Sequence, residues 1–133
     1  MRSEQLRLDM SQRRFADITE DVARFVSSEG DGLVNVFVPH ATAGLALIET
    51  GSGTESDLEE SLSRLLPRDG RWSHSHGSPG HGADHVLPAY VSPTLSIPVI
   101  EGRLQLGTWQ SIVVVDTNRD NPQRTVRLSF LVG

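Results

Sequence analysis

The sequence predicts an α+β fold: a single compact domain over residues 1–133, with a largely antiparallel or mixed β-sheet structure and two to three short helices. Three observations predict it. The chain has 133 residues with 37% hydrophobic and 22% charged side chains, enough to bury one core but not two. Strand-like, helical and strand-like patterns follow one another, and the last third is strand-rich with hairpin-like links. Regular alternation of strand and helix is missing, which disfavours a doubly wound parallel sheet.

Element by element, Leu6 to Arg14 suits an opening strand and its turn. Thr19 is placed to cap a short helix in which Ile18, Val22, Phe25 and Val26 recur at helical spacing. Glu20 and Asp21 fall in its first turn, where negative charge is favourable, and Gly30-Asp31-Gly32 ends it. Leu33 to Val38 and Leu45 to Ile48 are β-branched, apolar runs and read as strands.

Glu55 to Leu66 reads as a second helix with Leu58, Leu62, Leu65 and Leu66 as its apolar stripe. Thr54, with Asp57 three residues on, resembles a capping box, and Pro67 stops the helix. A polar Gly/Pro/Ser/His loop runs from Pro67 to Gly82. Ala83 to Val91 suits a third helix that Pro88 kinks or limits to a turn or two. Strands are expected at Leu95 to Ile100, Leu104 to Leu106, Ile112 to Val115 and Thr125 to Val132, with turns at Glu101-Gly102 and Asn118 to Pro122.

Composition excludes several chemistries. The chain has no cysteine, which removes disulfides, thiolate nucleophiles and cysteine-ligated zinc. All twelve cationic side chains are arginine, so Schiff-base chemistry and a P-loop lysine are absent too. Any phosphate must be held by arginine, hydroxyls or backbone N–H groups. The net charge of −5 argues against nucleic acid and anionic membranes as partners, while leaving room for a local basic pocket. Met1 to Met10 alternates charged and apolar residues, unlike a signal peptide, and no apolar run has membrane-spanning length. The expected location is cytoplasmic.

Histidines mark the candidate chemistry. Four of the five, His74, His76, His81 and His85, fall within twelve residues, and His40 directly follows a strand. Three imidazoles with an open position are a catalytic zinc arrangement, although zinc, manganese, nickel and iron all accept nitrogen ligands. The same loop also suits a plain solvated connection. His81 and His85 share a face if their segment is helical. Glu49 closes an apolar run and is a candidate base or ligand-orienting group. Gly107-Thr108-Trp109-Gln110 either lines a pocket or forms an ordinary turn with Trp109 in the core.

Several motifs resemble those of the YjbQ family, which has been labelled a secondary thiamine-phosphate synthase family. They are Pro39-His40-Ala41-Thr42-Ala43-Gly44-Leu45 with Glu49, Trp72-Ser73-His74, His85, Ile97-Pro98-Val99, Gly102-Arg103-Leu104, Leu106 to Gln110, and Arg124-Thr125-Val126. The resemblance runs from about residue 33 to the C-terminus. It implies a compact α+β homotrimer and a pocket where His40, His74 and His85 hold a divalent metal, expected to be zinc. His40, Glu49, His74 and His85 are then the expected catalytic groups. Thr42, Gly44, Gly107, Thr108, Trp109, Gln110 and Arg124 are the expected lining for a small phosphorylated substrate. The implied activity is a weak thiamine-phosphate synthase, a side reaction of a transferase type. Alternatives are a metal-independent acid–base enzyme using the same histidines and a non-catalytic metabolite-binding protein. Pro88, Tyr90 and Asp84-His85 depart from the family pattern, and His76 or His81 is an alternative ligand.

Overall fold

The computed structural model describes residues 1–133 and shows a small α+β domain with two antiparallel sheets. Its strands are β1 (Arg2–Asp9), β2 (Phe15–Asp17), β3 (Gly32–Phe37), β4 (Gly44–Ile48), β5 (Thr94–Ile100), β6 (Arg103–Leu104), β7 (Ser111–Val115) and β8 (Gln123–Val132). Its helices are α1 (Thr19–Val26), α2 (Thr54–Leu65) and α3 (His81–Val86), the last continued by a 3₁₀ turn at Leu87–Ala89. No helix is long and apolar enough to cross a membrane.

The larger sheet has the order β1-β8-β3-β5-β6 and the smaller one β2-β7-β4. Period-two alternation orients them. Val126, Leu128 and Phe130 of β8, Val34 and Val36 of β3, and Ile97 and Val99 of β5 all point inward and are buried. They join Ile112 and Val114 of β7, Leu45 of β4 and Val22, Phe25 and Val26 of α1 in one cluster. The intervening β7 residues, Val113 and Val115, face the other way. They pack with Leu62 of α2, Leu66 just after it, Ala83 of α3 and Leu87 of the 3₁₀ turn. Strand β7 is therefore buried on both faces, which is why Ile112 to Val115 is an unbroken apolar, β-branched run.

The fold class agrees with expectation, with physical differences in detail. The strands divide into two sheets because β2 and β4 both pair with β7, a long-range choice that local pattern does not encode. The first strand begins at Arg2 rather than Leu6, since β8 supplies a partner for every residue to Asp9. Thr19 does not cap α1. Its hydroxyl instead donates to Asp17 at 2.6 Å and accepts the Ile112 N–H at 2.8 Å, tying the helix to β7. Thr54 likewise lies inside α2, which begins after Gly53 at φ 93°. The third helix starts two residues earlier than expected. Pro88 sits in the first turn of the 3₁₀ segment, where its missing N–H costs nothing.

Candidate functional site

The loop between α2 and α3 is folded down onto α3 by polar contacts. Trp72 Nε1 donates to the Pro67 carbonyl at 2.8 Å. The Arg68 guanidinium reaches the buried Asp84 carboxylate, and it also donates to the Thr117 carbonyl and the Ser78 hydroxyl, each at 3.3 Å. Gly82 permits the closest approach, for a Cβ there would stand 2.5 Å from the His74 carbonyl oxygen and 2.4 Å from Trp72 Cβ. These contacts bring His74 and His76 against His81 and His85, which lie one helical turn apart on α3.

Ring centroids are 3.8 Å apart for His74 and His85 and 4.7 Å apart for His81 and His85. One ring nitrogen from each of His74, His81 and His85 lies within 4.8 Å of the others. The Nε2 atoms of His81 and His85 are 2.9 Å apart. His74 Nε2 is buried and has no hydrogen-bond partner. Burial, and after it the fields of neighbouring imidazoles, hold His74 and His85 below the ordinary histidine pKa. They are accordingly neutral at pH 7, the form that ligates.

Two carboxylates flank the other side of His81. Its Nδ1 lies 3.0 Å from Asp120 Oδ2 and 3.5 Å from Asp84 Oδ2. Asp84 is fully buried, and its Oδ1 accepts both Arg68 and the Thr117 hydroxyl. The backbone N–H of Ser78, first among the causes, keeps the Asp120 carboxyl below its usual range and so ionised. Neither contact is a hydrogen bond, since His81 Nδ1 and Asp84 Oδ2 are both buried and unpartnered; a carboxylate that closed on Nδ1 would fix the tautomer and raise the ring's basicity as a ligand.

The expected site residues are not all brought together. His74 and His85 converge, but His40 is not among the side chains whose ligand atoms meet. Its Nε2 accepts the Thr125 N–H at 3.0 Å, so within this chain His81 stands where His40 was expected. His81, the alternative ligand that the sequence offered through its shared face with His85, is the third side chain of the converging set. His76 is close, its ring 4.0 Å from that of His74, but exposed and outside the converging set.

The expected substrate lining also divides. Arg124 is buried and engaged through two of its three nitrogens: Nε donates to Asp116 Oδ2 at 2.7 Å, and Nη2 donates to Asp116 Oδ1 at 3.1 Å and to the Thr42 hydroxyl at 2.7 Å. Arg124 and Thr42 thus spend these groups on each other and on Asp116 rather than facing a ligand. Gly44 is a packing position, since a Cβ would stand 1.9 Å from the Val91 carbonyl oxygen. Gly107 and Gln110 close a turn, with the Gly107 N–H donating to Gln110 Oε1 at 2.8 Å. Thr108 and Trp109 are exposed on that turn, and at 73% exposure Trp109 is outside the core. Glu49 is exposed and in no ion pair.

Fold and site together define a small two-sheet α+β protein with a convergent imidazole cluster. The chain belongs to the YjbQ-like UPF0047 family, whose pattern matches residues 4–133. It is 58% identical over 133 residues to the UPF0047 protein Rv2556c of Mycobacterium tuberculosis, covering all of both chains. Its structure superposes on a hypothetical protein from Aeropyrum pernix K1 with TM-score 0.87 and 32% identity, covering 100% of each chain. It superposes on a YbjQ-like protein of unknown function from Sulfolobus solfataricus P2 with TM-score 0.90, covering 99% of this chain and 97% of the other. At 23% identity, that likeness concerns the fold.

Proposed function

We propose that the protein is a metal-dependent enzyme acting on a small phosphorylated molecule, with His74, His81 and His85 holding one divalent cation, zinc by preference. The observation that carries this reading is the convergence of three imidazole nitrogens within 4.8 Å, in a cluster where His74 Nε2 is buried and unpartnered. A buried polar atom without a partner is costly unless something fills the gap. Nitrogens bound to one tetrahedral zinc lie roughly 3.3 Å apart, given Zn–N distances of about 2.0–2.1 Å. The cluster needs only a small adjustment to reach that spacing.

A bound divalent ion would supply Lewis acidity toward a phosphate oxygen or lower the pKa of a water molecule toward neutrality. The chain's own contribution is orientation. Asp120 and Asp84 lie on the far side of His81, within reach of its Nδ1, and Arg68 anchors both Asp84 and the loop. Thiamine-phosphate synthase chemistry, in which a pyrophosphate is displaced, is one transferase reaction such a site would serve. A second reading, acid–base chemistry without a metal, draws on the 2.9 Å contact between His81 and His85, which a neutral pair satisfies by sharing one proton.

Elemental analysis after zinc loading and desalting separates the two readings. About one equivalent per chain, bound at least tenfold more weakly by His74→Ala, is expected, since even the loss of an orienting partner costs roughly 10–100-fold. Less than a tenth of an equivalent would favour the metal-free reading.

A further inference from the structure

Beside the histidine cluster, a second cleft opens between the turn after β1 and the turn after β7. It is an open cleft of about 460 Å³, and three of its lining residues are Arg13, Arg14 and Arg119. In a chain with net charge −5, three arginines and one carboxylate, Asp116, line this cleft. That carboxylate is already held by Arg124 through two hydrogen bonds.

The arginines keep donors free. Arg119 forms no ion pair or hydrogen bond to a carboxylate, and Arg13 donates from Nε only to the Asp9 backbone carbonyl, at 3.2 Å. Arg14 spends its Nε on Glu59 at 2.8 Å, leaving its terminal nitrogens. Nearby, the Asp9 carboxylate is engaged by the Ser11 N–H at 2.9 Å. The cleft walls are fixed to one another by backbone bonds, Met10 N–H to the Pro122 carbonyl at 2.8 Å and Asp116 N–H to the Arg14 carbonyl at 2.9 Å. A rigid frame carrying unspent guanidinium forks suits a compact anion of double charge, because little ordering remains to be done on binding.

We infer that this cleft binds the phosphate group of a small phosphorylated molecule, with Arg13 and Arg119 as its principal donors. The inference deepens the reading above by naming where the phosphate is held. Arg119 lines the cleft while its neighbour Asp120 touches His81, so one turn serves both sites. The two claims fail separately, because metal content reads one and anion affinity the other.

The test is titration calorimetry of the full chain in low-salt buffer free of phosphate, with the protein either stripped of metal or zinc-loaded. The probes are inorganic phosphate, glycerol 3-phosphate and citrate. Glycerol 3-phosphate is expected to bind saturably, at least as tightly as inorganic phosphate and more tightly than citrate, with the same affinity in both metal states. Arg119→Ala and Arg13→Ala should each weaken it about tenfold, the loss of a charge-assisted hydrogen bond. Arg119→Lys should recover part of that loss, and Arg24→Ala, on α1, should change nothing. Both lost arginines are exposed, so the fold is expected to survive them. The inference is overturned by any of four results: no saturable binding, binding of inorganic phosphate alone, equal binding of citrate, or indifference to both alanine variants. A phosphate signal that requires zinc would overturn it as well, by moving the anion to the metal.

Discussion

His81 and His85 present their Nε2 atoms to each other across 2.9 Å, one turn apart on α3. Two neutral rings in that position can share one proton, or both can turn lone pairs toward a common cation, but not both at once. If the cation is the natural occupant, His81→Ala should reduce zinc affinity about a hundredfold, the upper end of what even an orienting partner contributes. His40→Ala should leave it within about twofold of wild type, because His40 contributes no converging nitrogen. Competition against a chromophoric chelator measures both. The reverse order of effects would restore His40 to the ligand set and remove His81.

The ion pair of Arg124 and Asp116 is a structural clasp. Both side chains are almost sealed, at 2% and 1% exposure, and Thr42 completes the arrangement. Arg124→Met leaves Asp116 as a buried charge without its main partner. Such losses cost about 3–5 kcal/mol, which lowers Tm by roughly 10–15 °C in a chain of this size. The double variant Arg124→Met with Asp116→Leu should lose much less than the two single changes added together. Thermal denaturation of the four proteins checks this, and additive losses would show that the pair does not act as a unit.

His40 links that clasp to pH. Burial first, then the positive field of Arg124, pushes its pKa below the ordinary histidine value, with Asp116 opposing. The neutral ring is also the form that accepts the Thr125 N–H. The unfolded chain therefore binds this proton near pH 6.5 while the folded chain resists it. The contribution is complete above that pH and is lost as pH falls from about 6.5 toward the depressed folded value. Denaturant unfolding between pH 7.5 and 5 should show a shallower decline for His40→Gln, whose amide oxygen can still accept from Thr125, than for wild type. Identical slopes would remove His40 from the pH response.

Much of this was legible in the sequence because it is local. The first two helices followed from apolar spacing, β7 from its unbroken apolar run, and the histidine cluster from its density between residues 74 and 85. What was not legible is set by distant partners. Nothing local says that β2 joins β4 on β7, leaving two sheets. Nothing in Arg124-Thr125-Val126 reveals that the arginine points into Asp116 rather than into a pocket. His40 looked like a ligand by resemblance, and only the pairing of β3 with β8, which sets the chain beyond Phe37 beside Thr125, shows what it touches. The arginine cleft draws its donors from two turns about a hundred residues apart, a proximity no spacing rule anticipates.

The outer face of the larger sheet supports a prediction about assembly. Leu33 pairs with Leu131 on one side and Pro98 on the other, forming an apolar row that faces away from the core. Leu33 and Leu131 are 44% and 49% exposed, with Phe37 on the same face at 40%. An exposed apolar row of this kind is a candidate interaction site. The expected occupant is a second copy of the chain, within the homotrimer that the family resemblance implies. Light scattering should give three times the monomer mass of 14.5 kDa, and Leu33→Arg should lower it. A wild-type monomer at micromolar concentration would refute the assembly.

Gly82 gives the most direct route from one residue to the site's geometry. It lies between His81 and Asp84 on α3, with the backbone of His74 and the side chain of Trp72 pressed against its Cα. A methyl group there would meet the His74 carbonyl oxygen at 2.5 Å, closer than real contacts allow, so the loop must move outward. That shift carries His74 away from His81 and His85 while leaving the helical pair intact. Gly82→Ala should therefore weaken zinc binding by at least about tenfold, comparable to losing an orienting partner. Its cost in stability should be only about 1–3 kcal/mol, as for an overpacked core position. Gly30→Ala is the control, since a Cβ there meets nothing within 4 Å. Chelator competition and denaturant unfolding on the same samples separate the two effects. Zinc affinity unchanged in a folded Gly82→Ala protein would mean that His74 does not need its observed place against α3 to bind the ion.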